Sequence, residues 1–139
     1  MSRVYKLTRP DLTSYGGFQY TVGRRHVFPG MGGLCGPGWS HAYTSPQLAV
    51  LLNPCHANFH RYHVWAADGM VGLTDHGLKI GCSELTLRHE ISRPIITTEQ
   101  RVTFAVRCAL SVYNEPAFVV WADDWLNGTD REAKPAAMT

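Results

Sequence analysis

The sequence lacks long hydrophobic runs, and none approaches the roughly 20 residues that a membrane-spanning helix needs. Its first residues form no apolar signal segment, so we expect a cytoplasmic protein without membrane contact. A dominant charge is also missing, because 13 basic and 11 acidic side chains leave a formal net charge of +2. This mild balance argues against a nucleic-acid partner, which usually requires a clustered basic surface. The one tight basic cluster, Arg24-Arg25-His26, fits an exposed strand end.

Paired cysteines are absent as well. The four cysteines, Cys35, Cys55, Cys82 and Cys108, are widely spaced and form no CxxC motif. In a reducing compartment such residues remain free thiols, and we expect most of them to be buried. Cys35 lies in a glycine-rich segment ahead of His41, which would suit a thiol nucleophile or simply a small residue in a tight loop.

Alternation of apolar and polar residues predicts a sheet over the first two thirds of the chain. The predicted strands cover residues 4–8, 18–22, 26–28, 39–43, 60–67, 69–73, 78–82 and 85–91. Ser45 followed by Pro46 predicts the start of one short helix, because serine caps helices and proline is tolerated at the first helical position. Pro54 ends that helix.

Helical spacing replaces alternation after Pro94. A capping-box pattern at Thr97 and Gln100 opens a predicted helix over 98–113, and a second helix runs from Pro116 to a stop at Gly128. These elements predict an α+β protein with a small, bent, mostly antiparallel sheet, one short inserted helix and a C-terminal helical hairpin. The expected organisation is an α+β domain over 1–93, a helical pair over 94–129 packed on it, and a flexible tail over 130–139.

Histidine and cysteine are dense in one short stretch, at Cys55, His56, His60 and His63. These side chains are natural zinc ligands. Pro54, however, ends the helix on which His56 and His60 would share a face, and neither CxxC nor HExxH is present. We therefore expect no metal, and a zinc-stabilised binding module remains an alternative.

The glycine-rich segment 30–38 has neither the P-loop lysine nor GxGxxG spacing, so it predicts tight turns and not a phosphate cradle. A helix start near Ser45 would offer free backbone N–H groups to an anion. Trp65 lies on a predicted strand beside His63, where it either is buried in the core or lines a ligand cleft. Ser45 and Trp65 are therefore candidate cofactor-binding residues, although no cofactor is expected.

Residues 17–23 read GFQYTVG, residues 34–42 read LCGPGWSHA, and residues 62–69 read YHVWAADG. These segments resemble a family of uncharacterised phage and bacterial domains that combines a GFQYxVG strand with a CxxG[FW]xHA turn. The resemblance covers residues 3–92, and the two C-terminal helices resemble an extension found in phage-type proteins. It implies a viral or prophage origin and no particular activity.

Residues 41–45, HAYTS, together with residues 62–69, more loosely resemble ADP-ribosyltransferase-like folds such as rifamycin ADP-ribosyltransferase and the RNA 2′-phosphotransferases. Residues 5–9, YKLTR, fall where those folds carry FHGTK, so Lys6 replaces a histidine. The resemblance implies that Tyr43 stacks on the nicotinamide of NAD, and that Lys6, His41 and Tyr43 lie in one cleft as candidate catalytic residues. No acidic residue is clearly placed as the catalytic carboxylate.

Three functions compete on these observations. The expected one is a phage-type accessory or interaction protein that binds a host or virion partner, or forms a homo-oligomer, without chemistry of its own. An exposed apolar patch around Trp121 and Trp125 would support it. The alternatives are an ADP-ribosyltransferase-like enzyme or degenerate NAD or nucleotide binder with a cleft around Tyr43, and the zinc-stabilised module. In a cleft, Tyr43→Ala would remove ligand binding and leave stability nearly unchanged.

Overall fold

The computed structural model describes residues 1–132 and confirms the α+β class. It contains a five-stranded open antiparallel sheet and three helices. The chain divides into two compact units, Met1–Ile95 and Ile96–Thr139, the first holding the sheet and the second the helical pair. Among the residues described, no helix has the length and apolar character to cross a membrane.

The elements follow the predicted order. They are β1 Ser2–Thr8, β2 Arg25–Val27, β3 Ser40–Ala42, α1 Pro46–Leu52, β4 His63–Asp75, β5 Lys79–Ile91, α2 Thr98–Val112 and α3 Pro116–Asn127. The pairs of strands predicted over 60–73 and 78–91 form two continuous strands, β4 and β5. Gly69 and Gly81 lie inside these strands, as predicted, at points where neighbouring side chains approach the backbone closely.

The long β4–β5 hairpin organises the sheet. The strand order is β1-β4-β5-β2, and β3 pairs with a different stretch of β5. Register shifts in the β4–β5 ladder, between Ala66 and Ala67 and again between Met70 and Leu73, mark bulges that bend the strands. The bend brings the end of β3 back to β1, where Tyr5 and Tyr43 form an isolated antiparallel bridge.

The two faces of the sheet differ in what covers them. We call the face that carries Val4 and Lys6 the inner face, and the face that carries Arg3 and Tyr5 the outer face, because successive strand residues point to opposite sides. The inner face bears the main core of unit 1. Its buried members are Val4, Tyr20, Ala42, Ala67, Ile80, Cys82, Leu85 and Leu87.

The segment before β2 covers that core, and the strand predicted over 18–22 does not form. Gly16 and Gly17 both have positive φ, which turns the chain back on itself. The Tyr20 amide then donates to the Leu12 carbonyl, and the Tyr20 side chain is buried on the sheet. Alternation at 18–22 therefore reflects a folded-over loop with one buried aromatic residue, and not a ladder strand.

Helix α1 begins as predicted. The Ser45 hydroxyl accepts from the Leu48 amide at 3.1 Å, and Pro46 occupies the first turn. Beyond the helix, the buried Asn53 side chain accepts from the Phe59 amide at 2.9 Å and donates to the Phe59 carbonyl at 3.0 Å. These two bonds fix the loop 53–59, which carries Cys55 and His56.

Unit 2 forms its own small core between α2 and α3. The predicted capping box at Thr97 and Gln100 is present, and Gly128 ends α3 in a left-handed conformation. Trp125 is buried against Val106 and Ala122, so it does not contribute to an exposed apolar patch.

The start of the predicted tail is held in place. The Arg131 guanidinium lies 4.2 Å from the centroid of the Trp125 ring and pairs with Glu99 at 3.0 Å. The remainder of that predicted tail, 133–139, lies outside the described residues.

The indole of Trp39 fixes the glycine-rich segment against the β4–β5 hairpin. Its Nε1–H donates to the Gly32 carbonyl at 3.0 Å, and its ring covers Gly72 so closely that a Cβ there would lie 2.4 Å from a ring carbon. We expect Gly72→Ala to lower the free energy of unfolding by about 1–3 kcal/mol, because the ring must move.

Urea denaturation measures this effect, and Gly33→Ala is the matched control. Gly33 lies in the same segment, where an added Cβ would have no atom within 4 Å, and its φ is not positive. Its substitution should change stability by no more than about 0.5 kcal/mol. Equal losses in the two variants would show that the Trp39 contact does not fix the segment.

Candidate functional site

Strand β3 places two of the predicted catalytic residues on the outer face of the sheet. Tyr43 bridges Tyr5, and directly opposed residues of an antiparallel pair share a face, so both side chains lie outside. His41 lies two residues earlier and points the same way. The sequence pattern HAY therefore brings an imidazole and a phenol to one side of a short strand.

Tyr43 is held by His56 from the loop after α1. The Tyr43 hydroxyl lies 2.6 Å from His56 Nδ1, and the two rings are stacked with their centroids 5.8 Å apart. Burial raises the pKa of Tyr43, so the phenol keeps its proton and can donate it to the ring nitrogen. Burial also lowers the pKa of His56, which favours the neutral ring that accepts this hydrogen bond.

His41 is bound to the glycine-rich segment. Its Nε2 makes a hydrogen bond with the Leu34 carbonyl oxygen, immediately before Cys35. Burial lowers the pKa of His41, and the positive charges of Lys6 and Lys79 act in the same direction, while the Leu34 carbonyl opposes them. The exposed Cys35 thiol in turn lies 3.6 Å from Lys79 Nζ.

Lys6 lies on the opposite face from these two residues. Its side chain is buried on the inner face beside Trp65, its partner across the β1–β4 ladder. Lys6 Nζ donates to the His41 carbonyl at 2.7 Å and lies 5.4 Å from the centroid of the Tyr20 ring. Lys6 therefore touches the backbone of β3, and the three predicted catalytic side chains do not face one cleft.

The other candidate cofactor-binding residues are also engaged within the protein. The Ser45 hydroxyl caps α1. Trp65 Nε1–H donates to the Thr8 hydroxyl at 2.9 Å and its ring packs against the inner core. Tyr43, Ser45 and Trp65 thus each satisfy a structural hydrogen bond, and Trp65 lies across the sheet from Tyr43.

The predicted metal candidates separate in the fold. Cys55 is exposed beside the Tyr43–His56 pair, His60 is exposed, and His63 Nδ1 contacts the Glu90 carboxylate. Within residues 1–132, no group of three or more His, Cys, Asp or Glu side chains is arranged to hold a metal ion.

All four cysteines are free, but the expectation that most are buried is wrong, because only Cys82 is enclosed. Burial raises the pKa of the Cys82 thiol to about 11. Cys35, Cys55 and Cys108 are exposed because each lies on a loop or a helix surface outside the two cores. The inner-face position of Cys82 could be read from its strand, whereas the other three follow no alternating pattern.

One surface that the sequence did not indicate lies on the outer face between β1 and β2. Asp68 pairs with Arg88 at 2.6 Å and with Arg3 at 3.6 Å, and Glu84 pairs with Arg25. These five side chains, which we call the arginine face, come from four strands. Alternation places each of them outside, but only the register places them together.

An open groove of about 430 Å³ lies where β4 begins and β5 ends, at the open end of the β4–β5 hairpin. Its walls include the His63–Glu90 pair and Arg93, whose guanidinium lies 3.8 Å from the centroid of the Tyr62 ring. Arg93 also donates to the Tyr62 carbonyl at 2.7 Å. The groove is wide and polar, and none of the predicted catalytic residues lines it.

We expect Tyr43 to behave as a core residue. Tyr43→Ala should lower the free energy of unfolding by about 3–5 kcal/mol, because a buried ring is replaced by a cavity. Tyr43→Phe keeps the ring and should cost only about 1 kcal/mol for the lost hydrogen bond to His56. Chemical denaturation of both variants measures the two losses, and a negligible loss in Tyr43→Ala would contradict the core assignment.

The two histidines should make stability depend on pH. Their pKa values are lowered in the folded state, so the unfolded chain binds more protons near and below its own histidine pKa. Stability is then fully present above about pH 6.5 and falls as the pH drops toward the lowered folded pKa values. Unfolding curves between pH 8 and pH 5 measure the slope, and His56→Gln should reduce it. An unchanged slope would show that His56 does not contribute.

No family model, no curated protein and no solved structure matches this chain. The two resemblances drawn from the motifs in residues 5–45 and 62–69 therefore remain predictions. Function has to be inferred from the side chains that the fold leaves exposed.

Proposed function

We propose that the chain is a phage-type accessory protein that binds a protein partner through the outer face of its sheet and performs no chemistry itself. The observation that carries this proposal is the uncovered stretch of that face between β1 and β2. Within residues 1–95 the one helix, α1, makes its main contacts with β1. The arginine face and its exposed apolar neighbours Val27 and Met70 remain available to a partner.

The apolar neighbours lie in one row with the arginine face. Val27 is opposite Glu84 on β5, and Glu84 is opposite Met70 on β4, so the three side chains cross the sheet side by side. Arginine and methionine are both enriched at protein interfaces. An open sheet face that mixes guanidinium groups with exposed apolar side chains suits protein binding.

The internal bonding of the candidate chemical groups also supports a binding role. Tyr43 would have to leave His56, and Ser45 the first turn of α1, before either could contact a ligand. Lys6 faces away from both. A nucleotide-binding role is therefore the weaker proposal.

We further propose the cytoplasm of a host cell as the site of action. Four free thiols, three of them exposed, suit a reducing compartment, where disulfides are rare. The resemblance of residues 3–92 to phage and bacterial domains is what supports a host or virion protein as the partner. A second copy of the chain is the other candidate.

Photo-cross-linking in cells tests the proposed function. A photoreactive phenylalanine analogue in place of Met70 should give one discrete adduct, because Met70 lies on the proposed binding face. The same analogue at Gln47, exposed on α1, is the control and should give none. Adducts of equal yield at both positions, or none at Met70, would reject the binding face.

Calorimetric titration with NAD, followed by proton NMR for free nicotinamide, tests the alternative on the same protein. We expect neither heat nor nicotinamide. Heat with release of nicotinamide would establish an enzyme and overturn the proposal, and heat without release would establish a nucleotide binder.

A further inference from the structure

We propose that the arginine face recognises an acidic segment of the partner protein. This inference rests on the proposed function and gives the chemistry of the partner. It depends on how the five side chains of Arg3, Arg25, Arg88, Asp68 and Glu84 are layered, and on the apolar residues beside them.

The register of the sheet assembles the face. Arg3 on β1 is opposite Asp68 on β4, Asp68 is opposite Thr86 on β5, and Thr86 is opposite Arg25 on β2. Arg88 reaches Asp68 from β5 at 2.6 Å. Three guanidinium groups from three different strands therefore meet around two carboxylates.

The positive charge lies outermost. The arginine side chains are 47%, 62% and 48% exposed at Arg3, Arg25 and Arg88. The carboxylates beneath them are only 27% and 18% exposed, at Asp68 and Glu84. An approaching partner meets guanidinium groups first, and three positive charges exceed two negative ones.

The arginines are held in position and retain free donors. Hydrogen bonds and nearby arginines lower the pKa values of Asp68 and Glu84, so both carboxylates stay charged near neutral pH and anchor the guanidinium groups. A guanidinium has five N–H donors and binds carboxylates through two parallel hydrogen bonds. Arg88 uses its Nε–H on Asp68, so its other donors can take a partner carboxylate.

The surroundings favour an acidic protein over nucleic acid. Val27 and Met70 flank the face with apolar surface that a peptide side chain can cover. No exposed phenylalanine, tyrosine or tryptophan on β1, β2, β4 or β5 offers a stacking surface for bases. A formal net charge of +2 over the whole chain points the same way.

Fluorescence anisotropy with the full chain and a labelled oligoglutamate peptide tests the inference. The wild-type protein should bind this probe, and added salt should weaken binding because the charges are exposed. The double variant Arg3→Gln/Arg25→Gln should bind on the order of tenfold more weakly, since it leaves Arg88 alone above both carboxylates.

The double variant Arg61→Gln/Arg107→Gln is the matched control. It removes the same net charge from two exposed arginines that form no ion pair within residues 1–132. Circular dichroism and thermal melting of both variants should match the wild type, because exposed ion pairs contribute little to stability. The control should bind oligoglutamate within twofold of the wild-type affinity, because Arg61 and Arg107 lie outside the arginine face.

Two results would overturn the inference. Equal weakening in both double variants would show that the probe responds to net charge alone. Tighter binding of a DNA duplex than of oligoglutamate, lost in Arg3→Gln/Arg25→Gln, would make the face a nucleic-acid surface.

The cross-linking experiment separates this inference from the proposed function. If the adduct at Met70 forms and persists unchanged in Arg3→Gln/Arg25→Gln, the binding face stands and recognition by arginine is rejected. If the adduct is lost in that variant and kept in Arg61→Gln/Arg107→Gln, the inference is supported. If no adduct forms at Met70 in the wild type, the proposed function and the inference both fail.

Discussion

The antiparallel pairing of β4 with β5 is the constraint on which the rest of unit 1 depends. Strands β2 and β3 pair with β5, and β1 pairs with β4. Bulges in the β4–β5 ladder bend the sheet until β3 reaches β1, and the Tyr5–Tyr43 bridge forms there. A bent sheet of this kind can bury one face with a single covering segment, which explains how residues 9–24 complete the inner core without forming a further strand.

That curvature also decides which polar groups become available. The side chains best suited to acid–base chemistry lie where β3 and its neighbouring loops pack against the sheet. They are Tyr43, His56 and His41, and each makes a hydrogen bond within the protein. The pKa values of these groups are shifted because the groups are buried. Burial at a packed contact between a strand and its loops is enough to cause such shifts, so the shifts do not by themselves indicate an active site. The uncovered part of the outer face carries paired charges that remain accessible, and this contrast is why a binding role is favoured over chemistry.

Unit 2 follows simpler physics. Its two helices bury a stripe of apolar residues at helical spacing. The stripe contains Trp125, which on sequence grounds was a candidate for an exposed apolar patch. The Arg131 guanidinium lies over the face of the Trp125 ring and also pairs with Glu99. Capping residues at Thr97 and Gly128 set the ends of the pair independently of any tertiary contact.

The sequence by itself determined the features that depend on near neighbours in the chain: the α+β class, the starts and ends of all three helices, and the face on which most strand residues lie. The tertiary structure alone decided the strand register, the continuity of β4 through Asp68 and of β5 through Ser83 and Glu84, and the folding of residues 18–22 into a loop. The candidate site divides in the same way. Alternation identified His41 and Tyr43 as neighbours, but the bond from Tyr43 to His56, the separation of Lys6 from both, and the arginine face arise from contacts between distant segments. Local propensity carries no information about register, because bulges and cross-strand packing set it only when the sheet assembles.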